Sequence, residues 1–179
     1  AEARTRTFSR RKIYKVSTPT IKGESAIEEE FENSDQRHYY VPCPHCQEEQ
    51  TLEFKNLKWD GEDHKTTAYY CQHCGEAIEE HHKTWMLESG QWIAHNPDSD
   101  TVGFHLSSLY SPVGWLSWAE IAKKFMEAKG DNVKMKAFVN TILGETWEEH
   151  GDAPEWKRLY MRREDYDLGQ IPEGCAFLT

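Results

Sequence analysis

The 179 residues carry a formal net charge of −10, with 21 Lys and Arg against 31 Asp and Glu, which excludes a protein whose whole surface tracks a phosphate backbone, since such binding rests on basic side chains. The length suits one ordinary domain or two small modules, and the apolar fraction of 37% is concentrated in seven Trp, eight Tyr and seven Phe, rings that bury much area each. No apolar run approaches the ~18 residues of a membrane-spanning helix, and the opening AEARTRTFSRRK lacks the apolar stretch of a secretory signal, so a soluble intracellular protein without a membrane partner is expected.

The first 22 residues hold Arg4, Arg6, Arg10, Arg11, Lys12, Lys15 and Lys22 against a single acid, Glu2. A basic cluster attracts nucleic acid when it forms one exposed face, so Arg6, Arg10, Arg11 and Lys12 are candidate phosphate contacts; the plainer reading is an ordinary solvated surface. Residues 12–17 set β-branched and aromatic side chains at strand spacing, and Pro19 should end that strand because it cannot donate to a ladder. In residues 23–31, Ile27 and Phe31 lie four apart among carboxylates, as on a short amphipathic helix.

From 36 to 80 the texture changes to short aromatic strands at 39–41, 51–54 and 67–70, separated by polar turns such as Asp60-Gly61. Two of these strands run directly into cysteine pairs. Residues 79–89 predict a helix stopped by Gly90, and 92–94 an extended piece before the Asn96-Pro97 turn. A clearer helix opens at Ser117, where Glu120 completes a capping box and Ile121, Phe125 and Ala128 continue an apolar stripe as far as Gly130. Another is expected from about 133 to 143, with Met135, Phe138, Val139 and Ile142 on one face and Gly144 at its end. The two helices can pack as an antiparallel hairpin. Residues 145–174 are acidic and weakly periodic, which predicts a linker with one short helix near 154–160.

Cys43-Pro44-His45-Cys46 and Cys71-Gln72-His73-Cys74 are two C-x-x-C knuckles with 24 residues between them. Two residues between thiolates let both sulfurs meet one ion from a tight turn, and two such turns complete the tetrahedron of a closed zinc site. Cys43, Cys46, Cys71 and Cys74 are therefore the expected metal ligands, with Gly75 permitting a sharp turn and a β-hairpin carrying one knuckle into the other, a zinc ribbon. Disulfides would need an oxidising compartment, and a redox pair would need one C-x-x-C in a βαβ context. His45 and His73 could each replace a thiolate, but four cysteines already satisfy the metal, and the solvent-exposed reading is favoured. Cys175 reads as a buried small hydrophobe. Four thiolates leave no position for water, so this zinc should hold structure rather than perform chemistry.

The chain has no P-loop, no H-E-x-x-H and no G-x-S-x-G, and no catalytic residue is assigned within it. The pairs Glu148 with Glu149 and Asp165 with Asp167 read as solvated faces, since a hard-cation site needs several converging oxygens.

In order, KVSTPTIKGES (15–25), YVPCPHC (40–46), YCQHCG (70–75), GFHLSSLYSP (103–112) and FVNTILGETW (138–147) resemble the lambda-type (GpA) large subunit of tailed-phage DNA-packaging terminases. The resemblance spans nearly the whole chain. It implies an α+β chain in four parts: the end of a RecA-like ATPase sheet with a coupling motif (1–35), the zinc ribbon (36–80), a helical connector (81–150) and a linker into a nuclease domain (151–179). In that family an ATPase drives DNA into a procapsid, and an RNase H-like nuclease cuts the concatemer with divalent metal. ATP and Mg, double-stranded DNA, a small terminase subunit, the portal of the procapsid and a homo-oligomeric motor are thus implied for a longer protein in the cytoplasm of an infected host. Ser17 and Thr18 resemble the coupling motif, in which a hydroxyl near the γ-phosphate reports hydrolysis; nucleotides lie at the carboxyl ends of strands in open α/β sheets. Phe177-Leu178-Thr179 resembles the start of the nuclease's first strand, which, with the missing initiator Met, implies an excised piece. The rival readings are a free-standing zinc-ribbon module that recognises nucleic acid or protein, and an adaptor whose exposed Trp residues dock a partner.

Overall fold

The computed structural model describes residues 7–8, 10–149 and 160–161. The chain divides into a unit of residues 1–148 and a second of 149–179, in which Tyr160 and Met161 are helical. Arg6, the greater part of the expected linker and its short helix, Asp165, Asp167, Cys175 and residues 177–179 lie outside the described residues. The first unit runs α1 (Ala26–Glu32), β1 (Arg37–Pro42), β2 (Glu49–Gln50), β3 (Leu57–Asp60), β4 (Asp63–Tyr70), β5 (Ala77–Ile78), α2 (Lys83–Glu88), β6 (Gln91–Ala94), β7 (Phe104–His105), α3 (Trp118–Ala128) and α4 (Asn132–Phe138). It is a mixed helix and sheet fold of the α+β kind.

Strand β1 organises the first sheet. It pairs antiparallel with β6 from Arg37↔Ala94 to Tyr40↔Gln91, parallel with β7 at Arg37 and His38, and antiparallel with β2 at Val41 and Pro42. The loop before β7 is pinned at Asp35, whose carboxylate accepts the Gly103 N–H at 2.9 Å and Arg37 Nε at 2.7 Å. A second sheet, β3-β4-β5, is antiparallel and turns at Asp60-Gly61, where Gly61 takes φ +52°. Its Tyr69 is fully buried opposite Ile78.

Helix α3 covers this second sheet. Its capping box forms as expected, with Ser117 Oγ accepting the Glu120 N–H at 3.1 Å and the Glu120 carboxylate accepting the Ser117 N–H at 2.8 Å. Such a cap stabilises a helix by about 1 kcal/mol. Trp118, at the start of α3, is fully buried and its indole N–H donates to Leu109 O at 3.0 Å, which satisfies the polar atom of the largest core side chain. Phe54, Phe125 and Phe138 meet at centroid distances of 5.0 to 5.6 Å and join α3 to α4.

Four expectations needed correction. Residues 11–20 form no strand, and Ile13, Tyr14 and Val16 are 41%, 83% and 95% exposed; β-propensity is realised only against a ladder and an apolar surface, and neither is present here. The strand expected at 51–54 is absent, the ladder stopping at Gln50 of β2, because side-chain hydroxyls take up the next N–H groups: Leu52 N–H donates to Tyr110 Oη at 2.6 Å and Glu53 N–H to Tyr69 Oη at 3.2 Å, after which a 3-10 turn begins at Phe54. The helix expected at 79–89 starts as a 3-10 turn, Glu80–His82, before α2. The helix expected to 143 leaves α geometry after Phe138 and widens into a π-turn, Val139–Leu143, closed by left-handed Gly144 at φ +68°. There Thr141 Oγ1 bonds back to Ala137 O at 2.6 Å, a side-chain competitor for the helical carbonyl.

The segment before α1 and the residues after the π-turn are tied together. Trp147 N–H donates to Thr20 O at 2.8 Å, Lys22 N–H donates to Trp147 O at 3.0 Å, and Lys22 pairs with Glu148. No helix among the described residues is long and apolar enough to cross a membrane.

Candidate metal centre

Strands β1 and β4 each run into a cysteine knuckle, and the two knuckles repeat one geometry. Cys43 N–H donates to Glu48 O and Cys71 N–H to Glu76 O, both at 3.0 Å; Gln47 N–H returns to Cys43 O and Gly75 N–H to Cys71 O, again at 3.0 Å. Each turn closes on a left-handed residue, Gln47 at φ +66° and Gly75 at φ +75°. Glycine adopts this conformation without strain; Gln47 adopts it because the turn around it is held at both ends.

The four sulfurs lie within 4.8 Å of one another, with Cys43 and Cys74 at 3.9 Å and Cys46 and Cys71 at 3.8 Å. All four are free thiols. Four thiolates at the ~2.3 Å of zinc–sulfur bonds have tetrahedral edges of ~3.8 Å, so the set fits a four-coordinate ion. Among the described residues this is the one group of His, Cys, Asp or Glu whose ligand atoms converge in this way. The fold thus brings together the four cysteines that the spacing singles out.

The surroundings favour a thiolate at one position. Burial pushes the Cys71 thiol up, but the N–H groups of Cys74 and His73 and the thiols of Cys43 and Cys74 outweigh it and bring it down to about 6. Cys43 goes the other way, pushed up to about 12 by burial and by its thiol contacts with Cys71 and Cys46, against N–H bonds from Cys46 and His45. One sulfur sheds its proton and a neighbour holds one. A cation at the centre removes that conflict, because every thiolate then faces positive charge.

His45 and His73 are exposed and turned away from the sulfurs. Each reaches across to the strand leaving the opposite knuckle, His45 Nε2 to Ala77 O at 3.1 Å and His73 Nε2 to Glu49 O at 3.2 Å. They brace the two turns against each other. A further brace escaped sequence reasoning: Gln50 is fully buried, and its Oε1 accepts the Gln72 N–H at 3.1 Å. The signal was a polar residue at the position where β2 alternates inward.

The other candidate residues lie elsewhere. Arg10, Arg11, Lys12, Ser17 and Thr18 are exposed on the irregular segment before α1, where Ser17 Oγ donates to Thr18 O at 3.0 Å. Among the described residues no hydrogen bond or ion pair joins these side chains to the cysteine cluster. Glu148 is engaged by Lys22. Trp115 is 80% exposed.

The family model for the phage terminase large subunit gpA ATPase domain matches residues 1–92, and that for the terminase large subunit gpA endonuclease domain matches residues 101–179. The large terminase subunit of Escherichia phage lambda is 34% identical over 193 residues, covering 94% of this chain and 30% of that protein. The large terminase subunit of Enterobacteria phage P21 is 35% identical over 194 residues, with the same coverage of 94% and 30%. The chain thus spans about 30% of the length of the relatives it matches. No solved structure matches. The two family matches are separated by residues 93–100; β6 runs from the end of the first match into that gap, β7 lies within the second match, and both pair with β1.

Proposed function

The chain belongs to the phage terminase large subunit gpA family, and from that premise we propose that it is the segment through which an ATP-driven DNA-packaging motor joins its ATPase to its nuclease. Residues 1–35 complete a RecA-like sheet with Ser17 and Thr18 as the coupling motif, 36–80 form a zinc ribbon, 81–150 a helical connector, and 151–179 lead into the nuclease. ATP, Mg, double-stranded DNA, the small subunit, the portal and a homo-oligomeric assembly belong to the longer protein. Pairing with the remainder of the ATPase sheet would give residues 12–17 the ladder they lack in this chain.

The observation that carries this reading is the backbone joint at Trp147. Thr20 and Lys22, close beyond Thr18, exchange two hydrogen bonds with a residue that falls inside the nuclease-matched region. A pair of backbone bonds resists sliding, so a displacement at Ser17 and Thr18 reaches Trp147 without travelling through the intervening chain. Strand β1 supplies a second route, since it lies within the ATPase match and pairs with β7 of the nuclease match.

Zinc held by Cys43, Cys46, Cys71 and Cys74 stiffens the end of that shared strand. With four thiolates bound it has no open position, and its contribution is folding energy rather than catalysis. Residues 36–80 contain nine Asp and Glu against four Lys and Arg, which disfavours a DNA-gripping role for the ribbon and leaves Arg6, Arg10, Arg11 and Lys12 as the candidate phosphate contacts.

The test is made on the full-length protein, with zinc content, ATP hydrolysis and DNA packaging measured together. One zinc per chain is expected, and its removal should leave ATP hydrolysis running while packaging stops. Unchanged packaging after verified metal loss would overturn the coupling role.

A further inference from the structure

A cavity of about 320 Å³ opens beside β1, lined in part by Tyr40, Glu53, His105, Ser107, Tyr110 and Glu145. Three of the strings that carry the terminase resemblance, 40–46, 103–112 and 138–147, contribute to its wall, and neither the metal centre nor the Trp147 joint uses it. Its size lies at the low end of ligand pockets, suited to one side chain or one small ring rather than a nucleotide.

The lining selects a class of ligand. No Lys or Arg contributes to it, whereas two carboxylates do, so phosphate and carboxylate groups are disfavoured. Glu53 already pairs with Lys55. The Glu145 carboxylate makes no ion pair or hydrogen bond among the described residues; its pKa is raised by burial first and by the Glu53 charge, against the pull of His105. Ser107 is 8% exposed, and its buried hydroxyl lacks a hydrogen-bond partner. The other walls are flat. His38 and His95, also part of the lining, stack at 4.6 Å, and His105 lies 5.5 Å from His38.

We propose that this cavity receives the guanidinium of an arginine side chain presented by a protein partner. A guanidinium is planar and cationic, stacks on ring faces, and donates in a fork that matches a carboxylate, with N–H groups to spare for the Ser107 oxygen. The negative charge of the chain steers a basic partner toward it. This inference stands apart from the metal and motor readings.

The experiment titrates the metal-loaded chain, labelled at histidine, with N-acetyl-arginine amide, spermidine and adenosine, following the imidazole resonances of His38 and His105. Saturable shifts with the arginine derivative alone are expected. Glu145→Gln should weaken that binding by at least ~10-fold, the size of one charge-assisted hydrogen bond, while Glu62→Gln at the far hairpin leaves it unchanged. Should Glu145→Gln lose its fold, Glu145→Asp, which withdraws the carboxylate by one methylene, serves as the second variant, with at least ~3-fold weakening expected. No saturable shift, an unchanged affinity in the folded carboxylate variant, or tighter binding of spermidine or adenosine overturns the proposal.

Discussion

The ammonium of Lys83 lies 2.7 Å from the Glu80 carboxylate with none of its side chain exposed, and it sits 5.0 Å above the Trp118 ring. The same carboxylate accepts the Trp118 N–H at 3.1 Å. Burial lowers the Lys83 pKa, and Glu80 holds it up. Removing the carboxylate strands a fully buried ammonium, whereas replacing the lysine by an apolar side chain of similar length leaves a carboxylate that is 25% exposed and still accepts the Trp118 N–H. Glu80→Gln is therefore expected to destabilise the metal-loaded chain by roughly 3 kcal/mol in urea unfolding, and Lys83→Met by less than half of that. Equal losses would show that the pair acts through packing alone.

At the metal centre, Cys43→Ser and Cys71→Ser should each abolish stoichiometric zinc and loosen the two knuckle turns, because the energy of metal binding is folding energy for the turns that close on it. Removing a brace has a different signature. His45→Ala should keep one zinc per chain while lowering stability by about 1 kcal/mol, the usual size of a single hydrogen bond. Elemental analysis with parallel thermal unfolding separates the two, and loss of zinc in His45→Ala would mean that the imidazole is a ligand after all.

The His38 imidazole carries the pH dependence expected of the first sheet. Burial, then the neighbouring His105 and His95, depress its pKa below the ordinary 6.5. Its neutral form is therefore the one that the fold prefers. The stability it contributes is complete above pH 6.5 and is lost as pH falls through the depressed folded value. Phe31 packs against its edge at 5.6 Å and offers no charge to offset protonation. Glu145 acts in the opposite sense, since its raised pKa means that acid relieves a cost. The melting temperature, read with zinc content held constant, should fall below pH 6.5, and His38→Gln should flatten that fall. An identical profile in the variant would assign it to other groups.

Gly103 has no room for a side chain. A Cβ there would stand 1.9 Å from Ser34 Oγ, 2.6 Å from Ser34 Cβ and 3.3 Å from Phe31. Gly103→Ala should destabilise by about 2 kcal/mol, within the range for overpacking, and adding Ser34→Gly should recover most of it, since both severe contacts belong to Ser34. Chemical denaturation of the two single variants and the double variant measures the coupling. Failure of the rescue would place the cost in the Gly103 backbone.

The features read correctly from the sequence are those whose partners lie a few residues apart. Ser117 caps Glu120, Asp60-Gly61 turns a hairpin, and each C-x-x-C closes its own knuckle, so local pattern was enough. The strand expected at 51–54 failed for the opposite reason: the hydroxyl that takes up Leu52 belongs to Tyr110, 58 residues away. Residues 12–17 show the same limit from the other side, with strand-like side chains and no ladder to join.

By itself the sequence determined the cysteine knuckles, the capping box at Ser117 and the family, because thiol spacing, capping chemistry and ordered motifs are carried by neighbours along the chain. Only the tertiary structure decided that the imidazoles of His45 and His73 reach the opposite knuckle, that β1 pairs both with β6 at the end of the ATPase match and with β7 in the nuclease match, and that Trp147 returns to Thr20 and Lys22. Those contacts depend on which distant segments occupy the same space, and no spacing along the chain encodes that.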